Sequence, residues 1–158
     1  LKVKQAPVIF GVLFMEMKNV KIHVKSFEKS GGEQSAIETV SFGKMAEKNG
    51  KFYVFYDETD AVGMKGTKTT IKWDYDNVVI IRSGTVESRQ EFAQGLECIS
   101  VYKTPYMTFG LKTNTEYVYV YCRDGIWNIE LEYMLELAGQ ERNEMKIKIV
   151  IEEDAHGY

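Results

Sequence analysis

The chain has 158 residues, 44% of them apolar and 27% charged, with a formal charge of -3. That length suits one compact domain with a buried core, and the composition excludes wholesale disorder and a helical membrane protein. Lysines alternate with glutamates instead of clustering, which argues against a dedicated nucleic-acid surface, while ten Tyr and eight Phe against two Pro favour strands.

Lys2 and Lys4 precede an apolar run from Ala6 to Phe14. About ten residues are too few to span a bilayer, and no small-x-small cleavage pattern follows before Glu16 and Lys18. Residues 1–16 therefore read as an apolar leader or upstream extension, or else as a segment docking on the domain. From Met17 onward the hydrophobic period is two, beginning with Val20 to Lys25. Further strands are predicted at Ile37 to Glu47, Phe52 to Glu58, Lys68 to Tyr75, Val78 to Arg82, Val86 to Phe92, Leu96 to Lys103, Met107 to Thr113 and Tyr117 to Arg123. In the clearest strand, Trp127, Ile129, Leu131, Tyr133, Leu135 and Leu137 alternate with polar residues and share one buried face. Met145 to Ile151 closes the series with its lysines outward, and residues 153–158 read as a polar tail.

Turn chemistry separates these runs: Gly31-Gly32, Asn49-Gly50, Val62-Gly63, Asp76-Asn77, Ser83-Gly84, Gln94-Gly95 and Asp124-Gly125. Short connections make hairpins of sequence neighbours, and about ten strands form a sheet large and twisted enough to close on itself. The expected fold is all-β, an antiparallel up-and-down barrel over residues 17–152, with a sandwich as the alternative.

Catalytic motifs are missing. His23 alternates outward among lysines, His156 lies in the tail, and neither has a Ser or Cys partner in a nucleophile motif. Without Cys-x-x-Cys or His-Glu-x-x-His spacing there is no ligand set for zinc, and no glycine-rich phosphate loop is present. The acidic run Glu152-Glu153-Asp154 reads as solvated carboxylates on a frayed end. Cys98 and Cys122 read as buried, reduced thiols in a reducing cytoplasm. Neither a catalytic residue nor a metal or other cofactor is expected. In the run Tyr117 to Cys122, three tyrosines share one face, either as a stacking platform or as an amphipathic outer face.

At Tyr53-Val54-Phe55-Tyr56-Asp57-Glu58 a recognisable order begins. It continues through Thr69-Thr70-Ile71, Arg82-Ser83-Gly84, Gln90-Glu91-Phe92 with Gly95, Tyr102-Lys103-Thr104-Pro105, Thr113 and Tyr133-x-Leu135. In this order and spacing the chain resembles the YwiB-like family of bacterial domains of unknown function, over about Met17 to Glu152. The resemblance implies a lipocalin-like, calycin-type barrel in a small cytoplasmic bacterial protein without an assigned activity. One departure is Tyr106-Met107, where the family tends to place a glycine.

A barrel of this size is either filled by side chains or leaves room for a ligand. Counting by twos from the apolar anchors turns Tyr56, Glu58, Arg82, Gln90 and Tyr102 inward, and Ser88 and Ser100 with them. The expected function is non-catalytic binding of a small amphipathic or anionic molecule by these five residues; a buried Glu58 and Arg82 need either each other, as a structural ion pair at the barrel end, or a ligand, since an unpaired buried charge is costly. The alternative is an interaction or scaffolding subunit that works through its outer surface, including self-association. An enzyme is the least supported class, and neither nucleic acid nor membrane is an expected partner.

Overall fold

The computed structural model describes residues 8–9, 12–13, 16–60 and 63–154. Most of the expected leader, the Val62 side of its predicted turn, and His156 lie outside these residues. Val8–Ile9 (β1) and Val12–Leu13 (β2) pair only with each other.

The rest forms one antiparallel sheet of ten strands, as the period of two requires: Met17–Ser30 (β3), Glu33–Lys48 (β4), Lys51–Asp57 (β5), Thr67–Trp73 (β6), Val78–Gly84 (β7), Ser88–Phe92 (β8), Glu97–Lys103 (β9), Thr108–Arg123 (β10), Ile126–Leu137 (β11) and Arg142–Glu153 (β12). Among the described residues there is no α-helix. Each strand pairs with its sequence neighbours, and β3 pairs with β12, so the first and last strands of the sheet are fully bonded to one another. The sheet's two edges are instead β8 and β9, which are consecutive in sequence. They meet at a single bridge, Glu87 to Lys103, and the turn between them is tied to β10 where Gly95 N–H donates to the Thr115 carbonyl at 2.9 Å. The barrel is thus nearly closed, with one seam.

Left-handed backbone at Asn49-Gly50 and Asp124-Gly125 makes the two-residue hairpin turns whose twist matches that of the strands. At the β6–β7 turn, Asp74 accepts hydrogen bonds from the Asp76 and Asn77 N–H groups at 2.9 and 2.8 Å. The turn at Tyr106-Met107 closes without glycine, because the Thr104 hydroxyl accepts from both of their N–H groups. Gly43 is required by space: a Cβ there would lie 2.1 Å from the Phe55 carbonyl oxygen.

Two sequence expectations need correction. The strands predicted at Met107 to Thr113 and Tyr117 to Arg123 are one strand, β10, with Glu116 as an extra residue where the register against β11 shifts. A bulge of this kind reverses the inward parity, so Thr113 and Thr115 face inward before it and Val118 and Val120 after it. Likewise the acidic run is not a frayed end, for β12 continues through Glu153, Glu152 faces Lys21, and Asp154 N–H donates to the Asn19 carbonyl.

The interior has two parts. At the lower end, which carries the Asn49-Gly50, Asp74–Asn77 and Asp124-Gly125 turns, Trp73, Phe92, Ile22, Ile71, Ile129 and Leu131 are fully buried. Trp73 and Trp127 meet edge to face with centroids 5.7 Å apart, and Phe52 lies 4.3 Å from Trp127. Ring packing of this kind adds to the stabilisation from burial. The upper end is built differently.

Candidate functional site

Strand register assembles the upper interior. Gly43, Tyr56, Thr69, Arg82 and Ser88 stand side by side on β4 to β8, one row above Met45, Val54, Ile71, Ile80 and Gln90. Facing them, Thr115, Tyr133, Met145, Glu28 and Ser35 form a second row across β10, β11, β12, β3 and β4. Between the rows lies a cavity of about 400 Å³. Its walls are amphipathic: Arg82, Gln90, Tyr102 and Glu28 supply polar groups, and Ile80, Leu111, Leu135, Leu137 and Ile147 supply apolar ones. Another hollow, lined by Phe27, Lys29, Gln34, Glu132 and Met134 among others, runs mainly over the outward positions of β3, β4 and β11. It shares Glu28, Ser35, Tyr133 and Met145 with that cavity.

Of the five residues singled out from the sequence, Arg82, Gln90 and Tyr102 line the cavity. Tyr56 is buried in the row next to it, and Glu58 lies past the end of β5, where its N–H donates to the Thr67 carbonyl at 2.9 Å. An ion pair between Glu58 and Arg82 is not formed: neither residue belongs to any ion pair within 4.0 Å among the described residues. The reason is register. Arg82 aligns with Thr69 and Tyr56, whereas Glu58 stands beyond Tyr56 and two strands away.

Arg82 is consequently an unusual group, because its Nε is buried and has no acceptor among the described residues. The hydroxyls of Ser88, Ser100 and Thr115 are also buried without partners among the described residues, and Gln90 Nε2 makes only a long 3.4 Å contact to Thr113 Oγ1. Buried polar groups are usually satisfied, so a belt of unsatisfied ones beside a cavity is the main chemical feature of the interior. Two tyrosines flank Arg82. Burial, reinforced by the Glu58 carboxylate and opposed by Arg82, pushes the Tyr56 hydroxyl well above the ordinary tyrosine range. Tyr133 is pushed up to about 12 by burial, with Arg82 opposing and Glu28 adding to the shift. Both hydroxyls remain proton donors at neutral pH.

Sequence reading missed Glu28 and Tyr133 as site residues. Glu28 lies beyond the predicted Val20 to Lys25 strand, and Tyr133 reads simply as core. It does pack there, 4.8 Å from the Phe92 ring, while its other side borders the cavity.

The remaining candidates are not brought to the cavity. His23 contacts Glu38 on the outer face. Among the described residues, no group of three or more His, Cys, Asp or Glu could hold a metal ion. Both cysteines are free, but Cys122 is exposed and Cys98 half-buried, not both buried as expected. Cys98 pairs with Thr113, and Cys122 lies ~30 Å farther down the same strand at ~3.3 Å per residue, well outside disulfide reach. Tyr117, Tyr119 and Tyr121 run in contact along the outside of β10. Glu132 and Glu130 stand opposite the first two, which makes the stripe unsuited to a polyanion. No helix among the described residues is long and apolar enough to cross a membrane.

Comparison with known proteins agrees with the barrel. The chain is 28% identical over 137 residues to the "Uncharacterized beta-barrel protein YwiB" of Bacillus subtilis (strain 168), covering 87% of this chain and 95% of that protein. The crystal structure of the ywiB protein from Bacillus subtilis superposes with a TM-score of 0.77 at 27% identity, covering 88% of this chain and 94% of that one. The family model described as "Domain of unknown function (DUF1934)" matches residues 22–149, and the chain belongs to that family.

Proposed function

We propose that this protein is a non-catalytic binding module whose upper lumen holds a small amphipathic molecule with an anionic group. The observation that carries the reading is Arg82, whose buried Nε has no acceptor among the described residues and whose side chain borders an amphipathic cavity. A guanidinium in such a place recognises a carboxylate or phosphate through paired N–H donors. The cavity volume of about 400 Å³ falls within the range of small-molecule sites. Eight-stranded lipocalin barrels hold a single small ligand in the same way, and two free thiols suit a reducing compartment such as the cytoplasm.

The test is a thermal-shift screen of small aliphatic and aromatic carboxylates and phosphates against the parent and the Arg82→Met variant. A ligand that binds only the folded state raises the melting temperature. At least one compound is expected to stabilise the parent and to lose that effect in Arg82→Met. If no compound shifts the parent, or the variant responds equally, the reading fails.

A second reading, action through the outer surface, draws on one observation. Ile99 and Val101 on edge strand β9 and Tyr106 and Met107 on the adjoining turn form an exposed apolar group. Self-association through that group would appear as a dimer by light scattering that Val101→Lys dissociates. A monomer at all concentrations removes this reading.

A further inference from the structure

Two charges of opposite sign border the cavity without meeting. Arg82 projects from β7 and Glu28 from β3. Neither belongs to an ion pair within 4.0 Å among the described residues. Glu28 Oε1 accepts from Asn143 Nδ2 at 2.9 Å, which holds the carboxylate in place and leaves Oε2 without a donor among the described residues. Both charged groups act on the Tyr133 hydroxyl, in opposite directions, so that hydroxyl stands within the field of each.

Consider what each kind of ligand meets. An uncharged apolar molecule would displace water from both charges and leave them unpaired, which is costly for each. A simple anion would satisfy Arg82 but face the Glu28 carboxylate, and a simple cation would satisfy Glu28 but face Arg82. A molecule carrying both signs meets a complementary partner at each end, and Leu135, Leu137 and Ile147 remain for its apolar part. Resting on the binding reading above, we propose that the cavity is a site for a zwitterion of the α-amino-acid type with an apolar side chain. Its carboxylate lies on Arg82 and its ammonium on Glu28. The Tyr133 hydroxyl, a donor at neutral pH, adds a hydrogen bond to the carboxylate.

The test uses matched ligands, so that it does not depend on a variant that folds. Calorimetric titration of the parent compares L-leucine and L-phenylalanine with the acids lacking the ammonium, isocaproate and hydrocinnamate, and with the amines lacking the carboxylate, isoamylamine and phenethylamine. The amino acid is expected to bind at least about tenfold more tightly than either single-charge analogue, a difference of ~1.4 kcal/mol. Glu28→Gln should abolish the advantage of the amino acid over the deamino acid without weakening the acid itself, whereas Arg82→Met should weaken both. If the acids bind as tightly as the amino acids and still depend on Arg82, the zwitterion proposal falls and the anion-binding reading stands. If none of the six compounds binds and no carboxylate or phosphate shifts the parent's melting temperature, both fall.

Discussion

Val78 and Arg82 project inward from the same strand, yet Val78 is fully buried among rings and Arg82 borders an open cavity. The same contrast holds on β11, where Leu131 has no exposure and Leu137 lines the cavity. Pointing inward and belonging to the core are therefore separate properties in this barrel. Every strand alternates, but only the lower half has side chains of the size and chemistry to fill what they point into. In the upper half the contrast weakens or inverts: on β3 the inward positions become Ser26 and Glu28 while Phe27 faces out. A segment of strand with polar groups inside and apolar ones outside is a wall, not a core element.

The largest expected effect tests this division directly. Leu131→Ala should cost roughly 2 to 5 kcal/mol, the range for a leucine removed from a filled interior. Leu137→Ala removes a group already facing open space and should cost less than about 1 kcal/mol, as at partly exposed sites. Urea unfolding of the two variants measures both. Equal losses would mean that the upper lumen is packed in solution.

A smaller effect is expected at high pH. Tyr133 has its folded value raised to about 12, and an unfolded tyrosine titrates near ~10. Between these values the unfolded chain has lost a proton that the folded chain keeps. Stability is thus fully present below pH ~10 and declines as pH rises toward ~12, by an amount on the order of 2 kcal/mol. Tyr56, raised in the same direction, adds to the decline. Tyr133→Phe should remove its own share, so its alkaline unfolding curve should be shallower than the parent's. An unchanged curve would place the hydroxyl in bulk solvent.

The smallest effect concerns Arg82. Had it paired with Glu58, truncation would strand a buried carboxylate at a cost of several kcal/mol. Because its Nε has no acceptor among the described residues, Arg82→Met should change stability by less than about 1 kcal/mol, or increase it. Denaturant midpoints distinguish the two cases, and a large loss would show that the pair forms in solution.

These contrasts also explain how far the sequence could be read. The period of two placed Tyr56, Arg82, Gln90 and Tyr102 inward because strand parity is local and needs no tertiary information. The ladder through Trp127, Ile129, Leu131 and Tyr133 was legible for the same reason. What failed depends on neighbours. The Glu116 bulge reverses parity inside β10, so one strand read as two. Whether Arg82 faces Glu58 or Thr69 depends on the register between strands, which alternation along a single strand does not carry. Glu28 escaped notice because a wall strand with an outward Phe27 breaks the hydrophobic pattern by which strands are found.

The seam between β8 and β9 separates two kinds of continuity. The sheet is unbroken where the first and last strands meet, with β3 and β12 paired from Val20 to Glu153 and from Lys29 to Glu144. It is broken where the chain is covalently continuous, at the turn around Gln94 and Gly95. That turn, together with the Glu87 to Lys103 bridge at the other end of the seam, therefore does for β8 and β9 what a ladder does everywhere else, holding two edges together through a short loop whose closure costs little entropy. It works as a clasp. A backbone cut there would release two unpaired edges, the condition in which sheets recruit strands from other chains, whereas the junction of the first and last strands is sealed by its own ladder.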